Sequence, residues 1–162
     1  MSMEAFMAAD AGVRQEVLDL VPQQAPFRFI DEIISLDEEQ IVGAYRFRED
    51  EYFYRGHFPG RPITPGVILI EAMAQVGVVA FGIYLLACQK NMRPGQMNMP
   101  LSLFSLADNV EFKGMVAPGE RVIIKGEKVY FRKNTIKANV SMERENGEVV
   151  CVGKLAGMGV DK

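Results

Sequence analysis

The sequence predicts an α+β fold in which a curved antiparallel sheet wraps one long apolar helix. Two observations carry this. The run from Gly66 to Gln89, GVILIEAMAQVGVVAFGIYLLACQ, holds a single charge, Glu71. A helix apolar on all sides must be surrounded by other structure. The C-terminal third alternates apolar and polar residues with the period of two that marks half-buried strands. Nothing but a sheet is available to cover the helix, so the sheet must curl around it.

The elements come in this order. Residues 10–20, DAGVRQEVLDL, place Val13, Val17, Leu18 and Leu20 at helical spacing before Pro22. Phe27–Ile34 and Gln40–Arg48 read as strands joined by a polar turn around Asp37–Glu39. GHFPGRPITPG, from Gly56, cannot be a regular element, because proline removes donors and fixes φ. Thr64 reads as the N-cap of the long helix and Pro65 as its first position. Further strands are expected at Asn109–Lys113 and Arg121–Phe131, either side of a Pro118-Gly119 turn. Thr135–Glu143 alternates without a break. Asn146-Gly147 then reads as a two-residue hairpin turn into a strand from Val149.

Composition narrows the function classes. The 162 residues suit one domain, taken as 1–162, and 49% hydrophobic with 24% charged residues implies a packed core. A net charge of −3 argues against general nucleic-acid binding. The run of 24 residues is long enough to span a membrane. Glu71 and Gln75, one turn apart within it, favour a buried core helix instead. Cys88 and Cys151 read as buried, reduced thiols. With one histidine and no ligand spacing, neither a metal nor a cofactor is expected. MSMEAFMAAD lacks a basic start followed by an apolar run, so cytoplasmic localisation is expected.

Three features converge between residues 57 and 75. His57, the sole histidine, sits in the proline-rich loop; on its own it could be a surface residue. Glu71 is harder to dismiss, since an unpaired buried charge is expensive. It must be paired, protonated or functional. Gly66 lies at a helix N-terminus, where amides are unpaired and the dipole favours negative charge. Removing water from a 3-hydroxyacyl thioester needs a base at C2, an acid for the leaving hydroxyl, and donors for enolate-like charge on the thioester oxygen. A neutral imidazole, a carboxyl made less acidic by burial, and the Gly66 amide suit these roles. The helix N-terminus opposes the second by favouring carboxylate; desolvation is expected to win.

Gly56-His57-Phe58-Pro59-Gly60-Arg61-Pro62, Pro65-Gly66-Val67 and Glu71-Ala72-Met73-Ala74-Gln75 resemble the β-hydroxyacyl-acyl-carrier-protein dehydratases of type II fatty acid synthesis. Pro26-Phe27 with Ile30-Asp31, DNVEFK at 108–113, VAPGE at 116–120 and GEVVC at 147–151 extend the resemblance over about 20–157. It implies a hotdog fold, homodimers often assembled as trimers of dimers, and a site at the dimer interface. It implies His57 as base facing the partner's Glu71 as acid, Gly66 with Val67 at the oxyanion, and Gln75 and Phe58 in support. Glu71, where a related isomerising branch has Asp, implies dehydration alone. An acyl carrier protein is the implied partner, and Arg132, Lys133 and Lys113 are candidate contacts for that acidic protein. Two features depart from the family pattern: Gln23-Gln24 replaces a histidine-containing turn, and the Met- and Asn-rich segment Lys90–Pro100 lengthens the middle of the chain. A hotdog thioesterase and a non-catalytic acyl-binding subunit are the competing readings. The paired blocks speak against the first, and the presence of both His57 and Glu71 against the second. A polyketide or aryl-polyene pathway is also compatible with these residues.

Overall fold

The computed structural model describes residues 8–98 and 101–160. Residues 1–7, on which most of the N-terminal reading rests, lie outside the described residues, as do Met99 and Pro100 of the Met-rich segment and residues 161–162.

Helix α1, Ala11–Leu20, begins where Asp10 Oδ1 accepts from the Val13 amide at 2.8 Å. It buries Val17 and stops before Pro22, as the spacing predicts. Strand β1, Glu32–Leu36, starts later than expected. The Phe29 amide donates to the Gln75 side chain, and the Phe29 ring is buried among Phe27, Tyr45 and Phe47. This segment is therefore tied to the core rather than to a ladder. Asp37 Oδ1 accepts from the amides of Glu39 and Gln40, turning the chain into β2, Gln40–Arg46.

The central helix α2 runs Gly66–Lys90, with 72% of its most apolar stretch buried. It is a core helix. A π turn at Gln75–Ala80 separates α-helical parts Gly66–Ala74 and Phe81–Lys90. Thr64 is not its N-cap. That hydroxyl is buried against the Tyr54 hydroxyl at 2.7 Å, and Pro65 takes the cap position without capping by side chain.

Among the described residues four long strands follow: β3 Leu101–Phe112, β4 Arg121–Arg132, β5 Thr135–Arg144 and β6 Val149–Val160. The antiparallel order is β1-β2-β4-β5-β6-β3, and the sheet wraps α2 in the hotdog arrangement. In β5, Ile136, Ala138, Val140 and Met142 are buried against α2, matching the alternation. The closest approach uses glycine. A Cβ on Gly77 would stand 2.6 Å from Val140, and one on Gly126 3.1 Å from the Gly77 Cα.

The turns exchange roles. Lys133-Asn134, both at positive φ, form the two-residue turn between β4 and β5. At Asn146-Gly147 only Gly147 has positive φ, 91°. Its amide donates to Arg144 O at 3.0 Å, and the Arg144 amide donates to Glu148 O. That is a three-residue bulged loop, not the two-residue turn expected.

Candidate active site

Val67, Glu71 and Gln75 stand four residues apart on one stripe of α2. Burial deepens along it: Val67 is 72% exposed, Glu71 is half-buried and Gln75 is fully buried. The Gln75 amide is held on three sides. Its Oε1 accepts from the Phe29 amide at 2.7 Å, and its Nε2 donates to Phe27 O at 2.9 Å and to Glu71 Oε2 at 3.1 Å. Gln75 thus fixes the Glu71 carboxyl from the next turn, and Phe27 and Phe29 fix Gln75. Burial raises the Glu71 pKa, against the weaker opposing effect of the Gln75 hydrogen bond.

The N-terminus of α2 is open. The first intrahelical donors are Ile68 and Leu69, both to Pro65 O. Among the described residues none accepts from the Gly66 or Val67 amides. The Phe112 ring packs on Gly66 so closely that a Cβ there would stand 2.9 Å from it. Two unpaired donors at a positive helix end, beside the Phe112 ring that only a glycine at 66 lets approach so closely, can hold an anionic oxygen.

Backbone bonds pin the loop carrying His57. The His57 amide donates to Phe53 O and its carbonyl accepts from Ile63 N at 2.9 Å; the Thr64 amide donates to Val116 O. Phe58 and Arg61 close a tight turn with Gly60 at φ 70°. His57 Nδ1 lies 2.9 Å from Ile63 O. A carbonyl only accepts, so in a neutral ring Nδ1 carries the proton and Nε2 keeps its lone pair. The half-exposed Phe58 ring stacks on the imidazole at 4.1 Å between centroids.

Among the described residues no hydrogen bond or ion pair joins His57 to Glu71 within the chain. Glu71 bonds to Gln75 and His57 to Ile63. Nor do the three basic candidates share a patch. The Lys113 amide donates to Val150 O, and its ammonium lies 3.7 Å from Glu111. Arg132 stacks on Tyr130, and with Lys133 it sits at the turn beside Thr135, which pairs with Met158. Val150 and Met158 are about 26 Å apart along β6. The sequence reading missed the Ile63 carbonyl and the backbone groups of Phe27 and Phe29; backbone partners leave no mark in side-chain identity. Phe112 was present in DNVEFK, but only the Gly66 contact gives it a place.

A family model described as FabA-like domain matches residues 21–155. The chain belongs to the FabA-like domain family. It is 34% identical over 142 residues to the 3-hydroxyacyl-[acyl-carrier-protein] dehydratase FabZ of Yersinia enterocolitica, covering 87% of this chain and 79% of that protein. It is equally identical to FabZ of Yersinia pestis, covering 76% of it. Among solved structures, the dehydratase heterocomplex ApeI:P from Xenorhabdus doucetiae superposes with a TM-score of 0.72 at 15% identity, over 90% of this chain and 91% of that one. Cj0977, a sigma28-regulated virulence protein from Campylobacter jejuni, gives 0.63 at 11% identity over 99% and 94%. These two likenesses bear on the fold alone: it is the hotdog fold. The FabA-like match covers the loop of His57 and the stripe of Glu71, and begins just after α1.

Proposed function

We propose that the chain, acting as one domain, is a 3-hydroxyacyl-[acyl-carrier-protein] dehydratase whose chemistry is shared between two subunits. The observation that carries the site assignment is the Glu71 carboxyl, kept less acidic by burial and aimed by a buried glutamine. His57 Nε2 removes the C2 proton, and the charge that develops on the thioester oxygen falls to the Gly66 and Val67 amides. As the C3–O bond breaks, Glu71 gives its proton to the departing hydroxyl. Water and the trans-2-enoyl thioester leave, and the proton on His57 returns to Glu71. Phe58 holds the imidazole face and Gln75 positions the acid.

The edge strand supports a homodimer. β3 ends the sheet, and its Leu103 and Phe104, on opposite faces, are 46% and 43% exposed. A twelve-residue edge strand exposed on both sides, with Leu101, Leu103, Phe104 and Leu106 in its first half, invites pairing with another chain. A homodimer joined there brings a second subunit to the stripe of Glu71, supplying the His57 that the chain itself keeps apart; dimers could assemble further into trimers of dimers. Lys113, which follows Phe112 at the open helix end, is the basic residue best placed for an acidic acyl carrier protein. Arg132 and Lys133 are farther contacts, and a cytoplasmic setting accords with such a partner.

The test is the absorbance of the conjugated enoyl thioester, followed with purified protein and 3-hydroxyacyl carrier-protein thioesters. Turnover in both directions is expected. Silence with carrier-protein and coenzyme A substrates at every acyl length would defeat the reading.

A further inference from the structure

A cavity of about 300 Å³ lies under the far half of α2, at the small end of the range for ligand pockets. Val78, Gly82 and Leu86 form its helix wall, and Ile136 lies opposite. Through the π turn a step of four carries the stripe of Glu71 and Gln75 to Val79, and steps of four and three then reach Ile83 and Leu86, which also line the cavity. Gly82 leaves room here, since a Cβ would meet only Ile136, at 3.5 Å. The cavity is thus an apolar continuation of the catalytic stripe, about 16 Å along the axis from Glu71 to Gly82.

Its remaining walls include Leu20, the last residue of α1, and Leu101, the first of β3. Helix α1 lies outside the family match, residues 21–155. It is fastened to the Met-rich segment that the sequence singles out. Arg93 Nε and Nη2 both donate to Glu16 Oε2, and the Gly95 amide donates to Glu16 Oε1 at 3.0 Å. Arg28 donates to Leu18 O from the other side. The segment so anchored leads directly into Leu101.

We propose that α1, through Leu20, is the end stop that limits the acyl chain this protein accepts, with the Glu16–Arg93–Gly95 clasp as its positioning device. The inference rests on the dehydratase reading, because the acyl tail of that substrate is the occupant it assigns to the cavity. A surface ion pair is weak alone, so the clasp has a smaller effect than the wall it holds.

The experiment is kcat/KM for 3-hydroxyacyl thioesters of increasing length, expressed as the long-to-short ratio. Leu20→Ala is expected to raise that ratio about tenfold, the scale of one methylene in an apolar pocket, and Gly82→Leu to lower it by as much. Gly82→Ala gives a smaller decrease and serves if the leucine variant does not fold. Glu16→Arg and Arg93→Glu singly raise the ratio about twofold, the scale of a weak surface pair, and the charge-swapped double variant, which remakes the ion pair but not the Gly95 bond, brings it part of the way back. An unchanged length profile in Leu20→Ala, with the wild type active, overturns the end stop and leaves the dehydratase reading standing. A wild type silent at every length defeats both.

Discussion

The two halves of α2 obey different demands. From Gly66 to Gln75 the helix exposes Val67, half-exposes Glu71 and leaves its first amides open. From Val76 to Leu86 nearly every residue is buried, and glycine appears where sheet and helix meet most closely. The near half gives up packing for the chemistry proposed there, and the far half gives up side chains for packing. Gln75 joins them: it is as buried as the core, yet its bonds all serve the site.

Variants on either side can break that contrast. The largest effect is expected at the site. His57→Ala should lower turnover by about 10³-fold, the scale of a lost general base, with the melting temperature nearly unchanged; an active variant would remove the chemical half of the contrast. In the far half, Gly77→Ala forces a Cβ against Val140 and should cost about 1–3 kcal/mol. Urea unfolding reads this directly, and undiminished stability would mean that the helix does not need its close approach. At the joint, Gln75→Leu leaves the Phe29 amide and the Phe27 carbonyl without partners, costing about 1–3 kcal/mol. It should also lower kcat more than it raises KM. The acidic partner should titrate higher in the pH–rate profile, since the hydrogen bond that favours carboxylate is gone. An unshifted profile would reduce Gln75 to a structural role.

The smallest effect concerns Glu71 and pH. Its folded pKa is raised by burial, so the folded state holds the proton that the unfolded chain releases first. Its contribution to stability is full below the unfolded value and lost as pH rises through the folded one. Glu71→Gln cannot ionise, so its melting temperature should gain on the wild type as pH rises, by a few degrees at most. A gap that narrows with pH would contradict the burial argument.

The parts that were legible in the sequence are those where one residue type answers one physical demand. The apolar run around a single glutamate announced α2, and the alternation of Ile136, Ala138, Val140 and Met142 announced β5. His57, Gly66, Glu71 and Gln75 stood out because few residue types suit the roles proposed for them. Illegible features depend on distant partners. The first half of β3, LSLFSLA, shows no alternation because both of its faces are exposed at the sheet edge. Phe27–Asp31 has strand-like composition, but Phe29 gives its amide to Gln75, 46 residues away. Asn146-Gly147 carries the chemistry of a tight turn, yet takes the bulged form with Asn146 at ordinary φ. Lys113 and Lys133 look alike as basic residues after strands, and only the register of β6 separates them.

The central claim, that one chain's imidazole works with another chain's carboxyl, is tested most directly by mixing two inactive proteins. His57→Ala and Glu71→Gln, unfolded together and refolded at equal concentration, form half their dimers as hybrids, each with one intact site of two. Recovery of about a quarter of wild-type turnover is expected. A mixture no more active than its separate parents would contradict the shared site.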